Sequence, residues 1–339
     1  MTLPGAGTLR RAARWITPSD PLILMYHRVS DTGPDPWALG VTPRHFSEHL
    51  EVLRRHTDPV ALRALPLRNR KRGRRAVAIT FDDGYADNAL AALPLLQEHD
   101  VPATVFVATG LLGKTRAFWW DELADLLLRP GRLPEVLQLT VRGRDYRWTL
   151  GASAEYGERA YTTHRCWTAL MQEPPTERQA LYAALWELML SLSDDEQQRL
   201  LSAVSVWSGN PPTRATTHRM LSESELMSLG TANIIEIGAH SVTHSVLPSQ
   251  PVDDQRREVS ESKRALEELV EQPIRSFSYP YGLTSAPTLS VVRDAGFDRA
   301  CTTRPASVAA NGDPFDLPRM AVRDCNGEQF SRMLSGVFQ

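Results

Sequence analysis

Short apolar runs alternate with longer amphipathic stretches along most of this chain. Residues 21–26 (PLILMY) form a run of the kind a buried strand shows. Residues 42–56 then read as a helix. Thr42 is placed to cap it, Pro43 suits its first turn, and Phe46, Leu50 and Leu53 recur on one face. The pattern predicts further strands at 76–81 (AVAITF) and 103–108 (ATVFVA), with a helix at 87–99 between them. The alternation resumes at 222–229, a helix whose Ser222 and Glu225 are spaced as a capping box. Strands are predicted at 233–238, 274–279, 297–302 and 317–322. Helices at 253–270 and 287–295 lie among them, the second closed by Gly296.

Strands alternating with helices predict an α/β fold, a parallel sheet with helices packed outside it. Six or seven such units fit a deformed (β/α) barrel of about seven parallel strands better than a short open sheet. In a barrel of that kind the chemistry gathers at the C-terminal ends of the strands. His27, the pair Asp82-Asp83 and His240 each follow directly on a predicted strand. The apolar pattern alone places those strands, so the coincidence carries weight.

Residues 114–220 break the pattern. Six of the eight tryptophans fall there: Trp119, Trp120, Trp148, Trp167, Trp186 and Trp207. Helices are predicted near 121–128, 176–191 and 194–206, with a hairpin at 137–150. The stretch reads as a mainly helical insertion between two barrel units. Its tryptophans are expected to build a local core rather than sugar-stacking platforms, because buried aromatics usually serve packing. The organisation is then an extension at 1–20 and one domain at 21–339, interrupted by the insertion.

Composition changes little. The chain has 339 residues, 42% hydrophobic and 23% charged, as a soluble globular protein has. Its 38 Lys and Arg nearly balance 40 Asp and Glu, which argues for no nucleic-acid partner. The basic run at 68–75 (RNRKRGRR) reads as a solvated linker. Cys166, Cys301 and Cys325 are odd in number and far apart, which argues against a disulfide framework or a cysteine zinc site. No run of about 18 apolar residues predicts a spanning helix. The first 20 residues lack the apolar core of a signal peptide, so a cytoplasmic location is expected. A short amphipathic stretch at 9–15, with Arg10, Arg11 and Arg14, leaves peripheral membrane contact open.

Three motifs carry candidate chemistry. In Thr80-Phe81-Asp82-Asp83-Gly84-Tyr85 two adjacent carboxylates stand at a strand end. That arrangement is costly without a positive charge beside it. The loop that Gly84 permits can turn both toward one site, one to bind a cation and the other to act as a base. Taken alone, the same sequence is equally a turn with a helix-capping Asp. In His240-Ser241-Val242-Thr243-His244 the histidines are four apart, expected on one face of a helical turn and able to share an ion. Two surface histidines near a helix start would look the same. Two ligands do not make a site, and Asp83 is the candidate third. In Phe277-Ser278-Tyr279-Pro280-Tyr281-Gly282, Pro280 and Gly282 fix a turn that can offer a backbone N–H to an oxyanion.

In this order the motifs resemble those of the polysaccharide deacetylases, the family with the NodB homology domain. The resemblance runs from about residue 21 to 322 apart from the insertion. Leu24-Met25-Tyr26-His27-Arg28-Val29 and Phe118-Trp119-Trp120-Asp121-Glu122 resemble the branch found with exopolysaccharide synthesis. The resemblance implies a metal-dependent hydrolase that removes N-acetyl groups from an N-acetylated glycan. It implies that Asp83, His240 and His244 hold Zn²⁺ or another divalent ion such as Co²⁺, Ni²⁺ or Mn²⁺. It implies Asp82 as general base and the Tyr281 backbone N–H as oxyanion donor.

The chain also departs from that family. Ser278 stands where many members carry an Arg, and Arg319 is the residue expected to reach the same place from the last strand. No histidine follows His244, so the late Leu-x-His that usually supplies the general acid is missing, as is an Asp-Trp pair that tunes it. His27 is the candidate donor in its place. Two alternatives follow from these departures: a catalytically impaired carbohydrate-binding or assembly protein on the same scaffold, and an amide hydrolase of a lipid-linked or small sugar. The sequence does not fix an oligomeric state.

Overall fold

One sheet organises the larger of two units. The computed structural model describes residues 20–31, 33–67, 74–114, 116–210 and 218–336. The sheet runs in the order Arg299–Cys301, Ser276–Ser278, Ile235–Ala239, Ala103–Val107, Arg75–Phe81, Leu22–Tyr26, Met320–Ala321. Every pairing in it is parallel, including that of a short strand, Thr57–Pro59, with Arg75–Phe81. Its two edges meet through an isolated bridge between Cys301 and Leu317. There the Leu317 N–H donates to Ala300 O at 3.0 Å and Leu317 O accepts from Thr302 N at 2.8 Å. The sheet is therefore curled into a deformed (β/α) barrel, as the alternation predicted.

Residue parity sorts the strands' side chains. Along Arg75–Phe81, Val77, Ile79 and Phe81 join the large core beneath the helices. Ala76 and Ala78 belong to the smaller inner cluster with Ile23, Phe106, Cys301 and Leu317. Both faces are buried, which is why such strands read as continuous apolar runs rather than alternating ones. Thr80 shares the inward parity, and so does the next residue but one, Asp82.

The flanking helices form where their signals lie. Thr42 Oγ1 accepts from His45 N at the start of Pro43–His56. Ser222 and Glu225 complete both halves of a capping box on Glu223–Thr231. Several segments differ from the sequence expectation: the strands expected at 297–302 and 317–322 shorten to Arg299–Cys301 and Met320–Ala321, and two further differences have a local cause. The helix expected at 87–99 opens as a π turn over Asn88–Ala92 before the α-helix Leu93–His99. Pro94 has no N–H to give to the preceding turn, so the wider turn ends there. The strand expected at 274–279 shortens to Ser276–Ser278. Ile274 has its N–H and C=O taken by Glu267 and Lys263 of the preceding helix, at 3.0 and 2.9 Å, and so cannot join the ladder.

The second unit comprises 32–38 and 115–219. It holds the helices Trp119–Leu128, Glu177–Met189 and Asp194–Ser208 and the hairpin Val136–Val141 with Arg144–Thr149. Trp119, Trp120, Trp167 and Trp186 are buried with Tyr182 in its own core. Trp37 joins them, donating to Tyr182 Oη at 2.7 Å. The 1–20 extension and the 68–75 basic run fall almost wholly outside the described residues. No helix among the described residues is long and apolar enough to cross a membrane.

His49 ties Pro43–His56 to the C-terminal helix Gly327–Leu334. It is fully buried, stacks on Phe330 at 4.0 Å, meets Tyr26 Oη at 3.2 Å and meets Cys325 O at 2.7 Å. Burial pushes its pKa down to about 4. The unfolded chain, with an ordinary imidazole, binds a proton first as the pH falls below about 6.5. His49 therefore costs the fold about 3 kcal/mol as pH falls from about 6.5 to 4 and nothing above it. Chemical denaturation at pH 7.5 and 4.5 is expected to show a shallower pH slope for His49→Gln, by about one proton. An unchanged slope would contradict a neutral buried His49.

Candidate active site

Parity carries Asp82 inward from the end of Arg75–Phe81, with its N–H on Tyr26 O at 3.0 Å. Asp83 and Gly84 both take positive φ, 77° and 81°. This reverses the alternation, so the two carboxylates face one place. Gly84 also lies against Val107, where an added Cβ would stand 3.0 Å from the Val107 side chain.

The histidines arrive differently from expectation. Residues 240–244 form an irregular loop after Ile235–Ala239, not a helical turn. Ser241 and His244 have φ of 63° and 57°, and His244 N donates to Ser241 Oγ at 3.1 Å. The four-residue spacing works because this tight loop folds back on itself. Among the described residues, nine other than glycine have positive φ, and Asp83, Ser241, His244 and Tyr281 are four of them. Strain of this kind persists where the surrounding structure over-determines it, typically at functional sites.

Asp83, His240 and His244 are buried and offer ligand atoms within 4.8 Å of one another. His240 Nε2 stands 3.4 Å and His244 Nε2 3.3 Å from Asp83 Oδ1. A tetrahedral zinc ion spaces its ligand atoms about 3.3 Å apart. The tautomer agrees. His240 Nδ1 lies 2.7 Å from Ser278 O, an atom that can only accept, so Nδ1 carries a proton. A neutral His240 then turns a lone pair on Nε2 toward a carboxylate oxygen, an arrangement that calls for a cation between them. Two imidazoles and a carboxylate are the donor set of a catalytic rather than a structural zinc site. The residues fit a divalent ion.

In their protonated forms the same imidazoles donate to Asp83 instead, and the charges in the site shift accordingly. Burial raises the Asp83 pKa, but hydrogen bonds from His240 and His244 overcome it and hold the carboxyl well below the usual range. Burial lowers His240, yet Asp82 and Asp83 together pull it above its ordinary value. For His244 burial wins and the pKa falls.

Asp82 has its own partner. Arg319, fully buried, donates to both carboxylate oxygens at 2.7 and 2.6 Å. The same guanidinium reaches Thr80 Oγ1 at 3.1 Å, Ser278 Oγ at 2.8 Å and Thr302 O at 2.9 Å. It also lies over the Phe106 ring, 5.6 Å from its centre. Burial pushes Asp82 up, and Arg319, then His240, brings it below its ordinary value.

The remaining sequence candidates also border the site. His27 is half-buried at the end of Leu22–Tyr26, close enough to interact electrostatically with Asp82 and Asp83. Its backbone C=O accepts from Asn88 Nδ2 at 2.9 Å. Asp87 takes the flanking groups, accepting from Arg28 Nε at 2.9 Å and from Val29 N at 3.0 Å. Tyr281, at φ 58°, turns its ring edge against His244 with centroids 4.7 Å apart. In the sequence Ser278 stands out only as a missing Arg. Here its C=O fixes His240, and its hydroxyl donates to Asp82 Oδ2 at 3.2 Å while accepting from Arg319. A small polar residue at this strand end is what admits Arg319 from across the barrel.

Parts of the chain are similar to known proteins. The family model described as polysaccharide deacetylase matches residues 69–133 and 210–300. YxkH of Bacillus subtilis (strain 168), a curated protein named for polysaccharide deacetylase activity, is 31% identical over 119 residues, 33% of this chain. The matched part spans 41% of that relative's length. Among solved structures, the Streptococcus pyogenes deacetylase PplD in complex with acetate superposes with a TM-score of 0.57 at 17% identity, covering 94% of this chain and 99% of that one. IcaB from Ammonifex degensii gives 0.56 at 15% identity, covering 94% and 97%. At such identities the likeness to the two structures is one of fold.

Proposed function

We propose that this chain, whose residues 69–133 and 210–300 match the polysaccharide deacetylase family model, hydrolyses the acetamide of an N-acetylated glycan to acetate and a free amine. One observation carries the reading. A buried carboxylate, Asp82, is kept ionised by Arg319 beside a second carboxylate and two imidazoles arranged for a divalent ion.

When bound by Asp83, His240 and His244, a divalent ion, Zn²⁺ or another such as Co²⁺, supplies Lewis-acid polarisation of the carbonyl and acidifies water. The protein's own groups do the rest. Asp82 takes the proton of the attacking water, and Arg319 and Ser278 hold its oxygens in place for that transfer. The Tyr281 N–H faces the developing oxyanion. His27, at the next strand end, gives a proton to the leaving nitrogen. The resemblance of residues 24–29 and 118–122 to the exopolysaccharide branch favours a polymeric N-acetylhexosamine as substrate.

The test is acetate release from a panel of N-acetylhexosamine oligomers by purified protein. Loading with Zn²⁺ or Co²⁺ is expected to give release, a chelator to stop it, and re-addition of the ion to restore it. No release from any oligomer at any metal loading would overturn the reading. Tight glycan binding under those same conditions would favour the impaired carbohydrate-binding protein instead.

A further inference from the structure

The loop that joins the two histidines is held from outside by a residue on a different element. Glu258 lies on the helix Val252–Val270. Its Oε2 accepts from Val242 N at 2.9 Å and from Thr243 N at 2.8 Å, and its Oε1 accepts from Thr243 Oγ1 at 2.8 Å. All three bonds fall on the two residues midway between His240 and His244. The loop's carbonyls are taken from the other side. Thr109 N donates to Ser241 O at 3.2 Å and Gly110 N to Val242 O at 2.7 Å. A Cβ on Gly110 would stand 2.6 Å from Val242 O, so only glycine lets the two backbones come this close.

We propose that Glu258 is the positioning residue of the metal site, setting the spacing of His240 and His244 through its bonds to Val242 and Thr243. The inference rests on the reading of Asp83, His240 and His244 as metal ligands. Ser241 and His244 both sit at positive φ, where an unsupported loop relaxes toward other conformations. The backbone N–H groups that a relaxed loop would need to pair elsewhere are those that Glu258 occupies. Its position suits geometry more than charge, since both backbone donors converge on a single oxygen, Oε2. A Gln can reproduce that arrangement, with its C=O in place of Oε2 and its NH₂ donating to a rotated Thr243 hydroxyl. An Asp keeps the charge but withdraws its oxygens by about 1.5 Å, the length of one C–C bond.

The experiment is titration of the metal-free full chain with Zn²⁺, with the Co²⁺ absorption spectrum recorded in parallel and the melting temperature of each metal-free protein as control. Glu258→Asp and Glu258→Ala are expected to weaken Zn²⁺ binding about 10- to 100-fold, as loss of an outer hydrogen-bond partner does. Both should also shift the Co²⁺ bands while the metal-free melting temperature holds. Glu258→Gln is expected to restore the wild-type spectrum and affinity. Wild-type affinity in Glu258→Asp, or a Gln variant as weak as the Asp variant, would overturn the proposal. So would a fall in the metal-free melting temperature that accounts for the lost affinity. A wild-type protein that binds no divalent ion would instead overturn the metal-site reading itself, so the two failures are distinct.

Discussion

Asp82→Asn is expected to lower acetate release by about 10²- to 10⁴-fold, the range that a positioned general base contributes, while leaving the divalent ion bound. The two carboxylates of the motif hold different partners, and the variant separates them. Asp83 faces His240 and His244 at 3.4 and 3.3 Å. Asp82 faces Arg319 and Ser278. An Asn at 82 keeps one oxygen for Arg319 but cannot take a proton from water. Metal content and acetate release from the same preparation settle the matter. Equal loss of metal and activity would make Asp82 a ligand rather than a base, and unchanged turnover would remove it from the chemistry. Because Asn also leaves the buried Arg319 without a counter-charge, the preparation's melting curve belongs with the assay.

Much of this candidate site is legible in the sequence, and the reason is local. Strand ends, glycines and Asp or His spacing are written in short windows of sequence. Asp82, Asp83, His240 and His244 therefore come out of TFDDG and HSVTH directly. What the windows misstate is conformation. The four-residue spacing suggests a helical turn, whereas positive φ at Ser241 and His244 makes the same meeting in a loop. What they omit is anything contributed by distant parts of the chain. Glu258 sits 15 residues from Thr243 on a helix that reads as ordinary and amphipathic, and its role appears only when the helix packs beneath the loop. Ser278 looks like a defect in sequence, because the side chain that uses the space arrives from 41 residues away. The fold followed the same division. Alternation of strands and helices gave the barrel, and strand lengths failed at Ile274, where side chains of the neighbouring helix compete for backbone bonds.

Removing Arg319 is expected to have the largest effect on the fold. It is fully buried, and its bonds to Asp82, Thr80, Ser278 and Thr302 tie its own segment to three others inside the barrel. Arg319→Met leaves Asp82 buried without its cation, a change that costs about 3–5 kcal/mol in comparable buried pairs. The pH dependence identifies the cause. In the native protein burial raises Asp82, and Arg319, with His240, more than offsets it, so the folded pKa lies below the unfolded one. That pair contributes stability above the unfolded carboxylate pKa, and the contribution is lost as pH falls through the folded value. Without Arg319 burial dominates and the folded pKa rises above the unfolded one, reversing the sign. Arg319→Met should therefore be much more destabilised at pH 8 than at pH 4 in urea titrations, and the acid limb of its pH–rate profile should move to higher pH. Arg319→Lys separates charge from shape. An ammonium restores most of the acid limb, but it has three donors and no fork, and it cannot span both Asp82 oxygens, Ser278 and Thr302 together. Its stability should stay well below wild type. A Lys variant as stable as wild type would mean that Asp82 needs only a positive charge nearby, and an Arg319→Met variant equally destabilised at both pH values would mean that the loss is one of packing.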